Sequence, residues 1–98
     1  MKLQEMQRCA PRAVKLLKIM GNENRLFILC NLLEGELSVN DLVDRIKLSQ
    51  SALSQHLALL RKEGFVNTRK QAQTVYYSLK GDDTRQVLEL LYKMYAKP

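Results

Sequence analysis

The sequence predicts a mainly α-helical domain with one small β-hairpin, spanning residues 1–98. Two observations predict this class. Apolar residues recur at three- and four-residue spacing as far as Gly64, and the spacing changes to two just after it, before a last helical stretch. The length of 98 residues, with 46% hydrophobic and 27% charged residues, fits one folded domain.

The first two helices are predicted from apolar stripes and end signals. Pro11 interrupts the first stripe, so this helix either begins near Pro11 or kinks there. Asn22 is the expected N-cap of the second helix and Gly35 its stop. Apolar residues, Phe27 and Cys30 among them, cover most sides of this second helix, which predicts that it is buried.

Two short helices follow in close succession. Ser38 is the expected N-cap of the third helix and Ser49 of the fourth, with a short break at residues 47–48 between them. The fourth helix has an apolar inner stripe and ends at Gly64. Two short helices joined by about three residues are the helix-turn-helix pattern.

The remaining residues predict a hairpin and a last helix. Two β-rich runs, joined by residues 71–74, give a hairpin that forms the wing of a winged helix-turn-helix. The last helix is expected from about Asp82 to Tyr95, and its apolar stripe is wider than a small core requires. We therefore expect a homodimer through the first and last helices; ordinary core packing is the alternative.

Charge and composition limit the classes of molecule that the protein is expected to bind. The formal net charge is +6, which favours a polyanion such as nucleic acid, although a merely soluble basic protein is the alternative. No apolar run is long enough for a membrane span, and no signal peptide is recognised, so a cytoplasmic protein of the bacterial nucleoid is expected. Two cysteines and one histidine are too few for a disulfide scaffold or a structural zinc site.

The outward side of the fourth helix has a composition suited to DNA. Ser51, Ser54, Gln55 and Ala58 fall on one helical face, and no acidic residue occurs from Ser49 to Lys62. Short hydroxyl and amide side chains both donate and accept hydrogen bonds and let a helix enter the major groove. A plain surface helix is the alternative, but such helices usually carry Glu and Lys.

The predicted hairpin extends this interface, because residues 65–80 contain basic but no acidic residues. His56 borders the core face and is expected to be a structural residue that touches a phosphate rather than a metal ligand or a catalyst. Enzymatic motifs and cofactor sites are not recognised. The expected DNA-binding residues are Gln50, Ser51, Ser54, Gln55, His56, Arg61, Arg69, Lys70, Gln73 and Thr74.

Nearly the whole chain resembles the ArsR family of dimeric winged-helix repressors. The resemblance is carried by the runs Leu48–Leu57, Leu60–Val66 and Tyr76–Leu79, together with Arg69. Further matches at residues 36–39 and 68–75 resemble the HlyU-type branch, which regulates haemolysin and virulence genes. The resemblance implies the order α-α-α-α-β-β-α with a short extra strand near residues 36–38, a dimer through the first and last helices, and DNA contact by the fourth helix and the wing.

Departures from the family pattern concern the signal that is sensed. Metal-sensing members have a cysteine pair where this chain has Ser38 and Asn40, so no metal is expected. Thiol-sensing members resemble this chain at Cys30, but the position of their second cysteine near the C-terminus corresponds to Ala96. Cys30 is then either a redox thiol, acting alone or with Cys9, or an inert buried residue.

The sequence as a whole predicts a dimeric, sequence-specific transcriptional regulator that binds a pseudo-palindromic operator in double-stranded DNA. The resemblance implies thiol-redox response and relief of silencing at virulence genes. Two alternatives are a repressor without metal or thiol sensing and a winged-helix module that binds proteins instead of DNA.

Overall fold

The computed structural model describes residues 1–97, so Pro98, at the end of the predicted domain, lies outside the described residues. A 3₁₀ turn, Leu32–Glu34, follows the second helix, and a π-helical turn, Tyr92–Ala96, follows the fifth. The helices are α1 (Leu3–Met20), α2 (Glu23–Asn31), α3 (Val39–Arg45), α4 (Gln50–Lys62) and α5 (Asp83–Leu91), and the strands are β1 (Leu37–Ser38), β2 (Val66–Gln71) and β3 (Thr74–Leu79).

All three predicted N-caps are confirmed. The Asn22 side chain accepts a hydrogen bond from the backbone N–H of Arg25 at 3.1 Å. Ser38 accepts from the backbone N–H of Asp41 at 3.1 Å, and the Asp41 carboxylate accepts from the backbone N–H of Ser38 at 3.0 Å. This reciprocal capping box and the equivalent cap at Ser49 satisfy backbone donors that a helix start leaves unpaired.

The sheet is antiparallel, with strand order β1-β3-β2. Strand β1 confirms the short extra strand expected from the resemblance. Residues Gln71 and Thr74 pair with each other, so the loop has only Ala72 and Gln73 and is shorter than the predicted four residues. Ala72 has φ 55°, a left-handed conformation that tight hairpin turns require.

The core lies beneath the helices and the start of the hairpin. Leu53, Leu57 and Leu60 of α4 are buried, which confirms the predicted inner stripe of that helix. Phe65 and Val66 bury the start of β2 against the same core. The buried hydrophobic residues are Ile19, Met20, Ile28, Leu29, Leu32, Leu42, Ile46, Leu53, Leu57, Leu60, Phe65, Val66 and Leu88.

Three predictions about the helices need correction. Helix α1 runs through Pro11, so the first of the two alternatives, a helix that begins there, is wrong; the proline is exposed, and water can bind the carbonyl that it leaves unpaired. Helix α2 is buried on one side only, through Ile28 and Leu29, and leaves Phe27 46% exposed. The last helical segment covers almost the predicted range, Asp82 to Tyr95, but only Asp83–Leu91 is α-helical and Tyr92–Ala96 forms a π-helical turn.

Candidate nucleic-acid interface

Helices α3 and α4 are joined by residues 46–49. The buried side chain of Ile46 anchors the connection, and its extended backbone ends α3. A hydrogen bond of 2.8 Å from the backbone N–H of Leu48 to the Ile46 carbonyl tightens the turn, and Ser49 then caps α4. This geometry holds the start of α4 at the surface of the molecule.

The outward side of α4 is called here the reading face and consists of Gln50, Ser51, Ser54, Gln55 and Ala58. All five residues are exposed. Within residues 1–97, none of their side chains has a hydrogen-bond partner, so their donors and acceptors are available to a ligand. The first turn of α4 contains no acidic residue, and its last turn carries Arg61 and Lys62. The face is therefore polar, adaptable and free of negative charge.

Two other predicted residues of α4 lie beside this face. His56 is half-buried, between the reading face and the buried leucines, in agreement with its expected place at the border of the core. Arg61 is exposed at the C-terminal end of the helix. The helix thus brings six of the ten predicted DNA-binding residues onto one element.

The other four predicted residues lie on the wing, defined as residues 66–79. Lys70, Gln73 and Thr74 are exposed near its tip. Arg69 is also exposed, but its guanidinium already has partners: Nε donates to the Glu36 carboxylate at 3.1 and 3.0 Å, and Nη1 donates to the Gln71 side chain at 2.8 Å.

Sequence reasoning missed Glu36 as a partner of the wing. Thirty-three positions separate Glu36 from Arg69, and no local pattern links them. The hydrogen bond from Arg69 lowers the pKa of the Glu36 carboxyl, so the ion pair is present at neutral pH. The wing itself contains no acidic residue, but the carboxylate of Glu36, outside the wing, neutralises the charge of Arg69.

The two cysteines are both exposed free thiols. The prediction that Cys30 lies on a buried stripe is wrong, because α2 turns its other side, Ile28 and Leu29, toward the core. Cys30 instead lines a groove of about 1080 Å³ together with Leu26, Leu91 and Ala96. Partial burial in this groove raises the pKa of the Cys30 thiol, which reduces its thiolate fraction.

A second exposed surface is apolar rather than polar. Leu17 on α1 is 62% exposed and Tyr95 in the C-terminal turn is 78% exposed. The large apolar residues that α1 and the C-terminal segment expose are together called here the apolar surface: Leu3, Met6, Val14, Leu17, Leu90, Tyr92, Met94 and Tyr95. Helices α1 and α5 approach each other, since Leu16 and Thr84 line the same small cavity.

Comparisons with known proteins place the chain in a family. Residues 22–68, from the cap of α2 into β2, match the model of the bacterial regulatory proteins of the arsR family. The transcriptional activator HlyU of Vibrio cholerae is 57% identical over 97 residues, an alignment that covers 99% of this chain and 90% of that protein. The chain belongs to the ArsR family.

Solved structures of similar proteins have the same fold. Reduced HlyU from Vibrio cholerae superposes with a TM-score of 0.89 at 56% identity, covering 96% of this chain and 99% of that one. The transcriptional repressor BigR from Xylella fastidiosa superposes with a TM-score of 0.94 at 34% identity over the full length of both chains. The fold is the winged helix-turn-helix, as the sequence predicted.

Two kinds of feature are absent from the part of the chain that the structure describes. Among residues 1–97, no group of three or more His, Cys, Asp or Glu side chains is arranged to hold a metal ion. Over the same residues, no helix has the length and apolarity that crossing a membrane would take.

Proposed function

We propose that this ArsR-family regulator binds a pseudo-palindromic site in double-stranded DNA as a homodimer and thereby controls transcription. Helix α4 enters the major groove, and Gln50, Ser51, Ser54 and Gln55 contact base edges. His56 and Arg61 contact the phosphate backbone beside the groove. The wing approaches the adjacent backbone with Lys70, Gln73 and Thr74 near its tip, and Arg69 belongs to this surface.

The reading face is the observation that carries the proposal. Its five residues are exposed, small or amide-bearing, and without side-chain partners within residues 1–97. A helix exposed only to water would gain from charged residues, which are absent from this face. An amide such as Gln55 can make two hydrogen bonds to one adenine edge, and the neighbouring serines are short enough for close approach.

The apolar surface supports the dimer. Soluble monomers rarely expose large apolar patches, and several of these side chains are more than half exposed. The radius of gyration is 14.6 Å, against about 13 Å for a compact chain of this length, so parts of the molecule project from the body. A second copy packed on α1 and the C-terminal turn would bury these side chains and double the charge of +6.

Selection of binding sites from a random pool of duplex DNA tests the proposal. The expected result is an enriched inverted repeat whose half-sites lie about 10 base pairs apart, bound by two protein chains per duplex. A pool that shows no enrichment, with only weak binding at physiological salt, would contradict the proposal and favour the winged-helix module that binds proteins.

The same assay tests thiol control. Cys30 is accessible to oxidants, but its raised thiol pKa and the alanine at position 96 weaken the case for a dithiol switch. We propose that DNA binding itself requires neither cysteine. Loss of the selected complex after peroxide or persulfide treatment of the wild type, with retention in Cys30→Ser, would assign redox sensing to Cys30. If the oxidant still disrupts the complex of Cys30→Ser but no longer disrupts that of Cys9→Ser, redox sensing would be assigned to Cys9.

A further inference from the structure

The Glu36–Arg69 ion pair crosses the sheet. Glu36 immediately precedes β1, whereas Arg69 lies on β2, at the other edge of the three-stranded sheet. Between them runs β3, where Tyr76 pairs with both Ser38 of β1 and Arg69 of β2. The arginine passes over the Tyr76 ring, with the guanidinium carbon 4.6 Å from the ring centroid, to reach the carboxylate.

Most hydrogen-bond donors of the Arg69 guanidinium already have partners within the protein. Nε donates to both carboxylate oxygens of Glu36, Nη2 pairs with Oε1 of the same carboxylate, and Nη1 donates to the Gln71 side chain. One face of the group lies on Tyr76. All three nitrogens therefore have acceptors, whereas Lys70, the next residue, has no side-chain partner within residues 1–97. A DNA phosphate that took the Nε and Nη2 donors facing Glu36 would have to displace that carboxylate.

The pair lies where the wing meets β1, in addition to the packing of Val66, Tyr77 and Leu79 of the hairpin on the core. Strand β1 pairs with the wing through only two residue pairs, Leu37 with Tyr77 and Ser38 with Tyr76. Ser38 is also the cap of α3, so β1 connects the wing directly to the helix-turn-helix. A bidentate arginine–carboxylate contact fixes direction as well as distance. It adds a third link across β3 at this joint.

We infer that Glu36 and Arg69 are positioning residues that together set the angle of the wing relative to the reading face, and that Arg69 holds the wing instead of binding a phosphate. The inference rests on the proposed function, because the angle of the wing matters only if wing and reading face bind the same duplex. According to this inference, the negatively charged Glu36 strengthens binding to DNA, although DNA is itself a polyanion.

The direction in which Glu36→Gln changes the affinity for DNA distinguishes this inference from a purely electrostatic effect. If charge alone mattered, Glu36→Gln would strengthen DNA binding, because it removes a negative charge and frees Arg69 for phosphate. If the pair positions the wing, Glu36→Gln weakens binding to the selected site. Arg69→Lys separates the two views again: a lysine can replace a phosphate contact, but it cannot form the bidentate pair.

The experiment measures dissociation constants by fluorescence anisotropy for the duplex selected by the wild type and for a scrambled duplex of equal composition. Salt is varied between about 50 and 200 mM, because the slope of affinity against salt counts phosphate contacts. The variants are E36Q, R69K, R69A and the double variant E36Q/R69A. Lys70→Ala is the matched control, and thermal melting confirms that each variant is folded.

We expect E36Q, R69K and R69A each to weaken the selected complex by about threefold or more, and the double variant to lose no more than R69A alone. The salt slope of R69A should equal that of the wild type, whereas Lys70→Ala should reduce the slope by about 1. A reduced slope for R69A, wild-type affinity for R69K, or tighter binding by E36Q would overturn the inference. A wild type that does not prefer the selected duplex would instead contradict the proposed function.

Discussion

The reading face and the apolar surface are both exposed to water, yet they differ in chemistry. The reading face of α4 has hydroxyls, amides and a small alanine, whereas the apolar surface has leucines, methionines and tyrosines that are up to 78% exposed. Water satisfies the first surface well and the second poorly. Exposure alone therefore identifies no function, but the chemistry left exposed indicates the partner: a hydrogen-bonding duplex for one surface and a second apolar surface for the other.

The largest expected effect comes from placing a charge on the apolar surface. Leu17→Glu should give a folded monomer, because Leu17 is exposed in the single chain but would be buried between two copies. Binding to the selected duplex should fall by about a hundredfold or more, since the two half-site contacts are no longer linked in one dimer. Light scattering measures the mass, and anisotropy measures the affinity.

Gln4→Glu is the control for this prediction. Gln4 is exposed on the same helix but, by helical periodicity, points well away from Leu17. This variant should remain dimeric. If Leu17→Glu is also dimeric and binds DNA as the wild type does, the apolar surface is not the dimer interface.

The second-largest effect is expected from a substitution that removes one amide from the reading face. Gln55→Ala should weaken the selected complex by about 1–3 kcal/mol and relax the preference at one base position, because the amide is expected to contact a base edge. Binding to a scrambled duplex and the thermal midpoint should not change. Gln4→Ala, which removes the same group from α1, serves as control. A Gln55→Ala protein that selects the original site with full affinity would remove Gln55 from the reading role.

Two exposed serines, the N-cap Ser49 and Ser54 of the reading face, have different expected roles. Ser49 caps the helix through its hydroxyl, so Ser49→Ala should lower the free energy of unfolding by about 1 kcal/mol. Ser54 is exposed and has no side-chain hydrogen bond within residues 1–97, so Ser54→Ala should leave folding unchanged and weaken only DNA binding. Urea unfolding and anisotropy measure the two effects. If both variants lose stability equally, the assignment of structural and reading serines is wrong.

The smallest expected effect concerns acid stability. Hydrogen bonds from Ser38 lower the pKa of the Asp41 carboxyl in the folded protein. Its contribution to folding is therefore fully present above the unfolded-state pKa and is lost as the pH falls through the lower folded-state pKa. Asp41→Asn should flatten this acid loss in urea unfolding measured at several pH values. An unchanged acid profile in Asp41→Asn would show that other carboxyls determine it.

Local signals in the sequence were sufficient for much of the fold. Ser38 and Ser49 cap helices as predicted because a cap depends on residues only three positions apart. The buried stripe of α4 followed in the same way from its spacing. The groups that face outward on α4 could be predicted because their neighbours along one helix determine the face.

Long-range contacts could not be predicted in this way. The partner of Arg69 is 33 positions distant, and only the folded sheet brings Glu36 beside it. The exposure of Cys30 depends on how α2 rotates against the core and the C-terminal turn, and the five consecutive apolar residues Leu26–Cys30 do not specify that rotation. Of the two alternatives for Pro11, a helix start and a kink, the first is wrong because α1 continues on both sides of this residue.

The most direct test of the central claim is the ratio of the dissociation constants of the wild-type protein for the selected inverted repeat and for a scrambled duplex, at physiological salt. A reading face that contacts bases predicts a preference of about a thousandfold or more for the selected repeat. Equal affinity for the two duplexes would show that the protein binds DNA only through its charge, and would contradict the claim that α4 reads sequence.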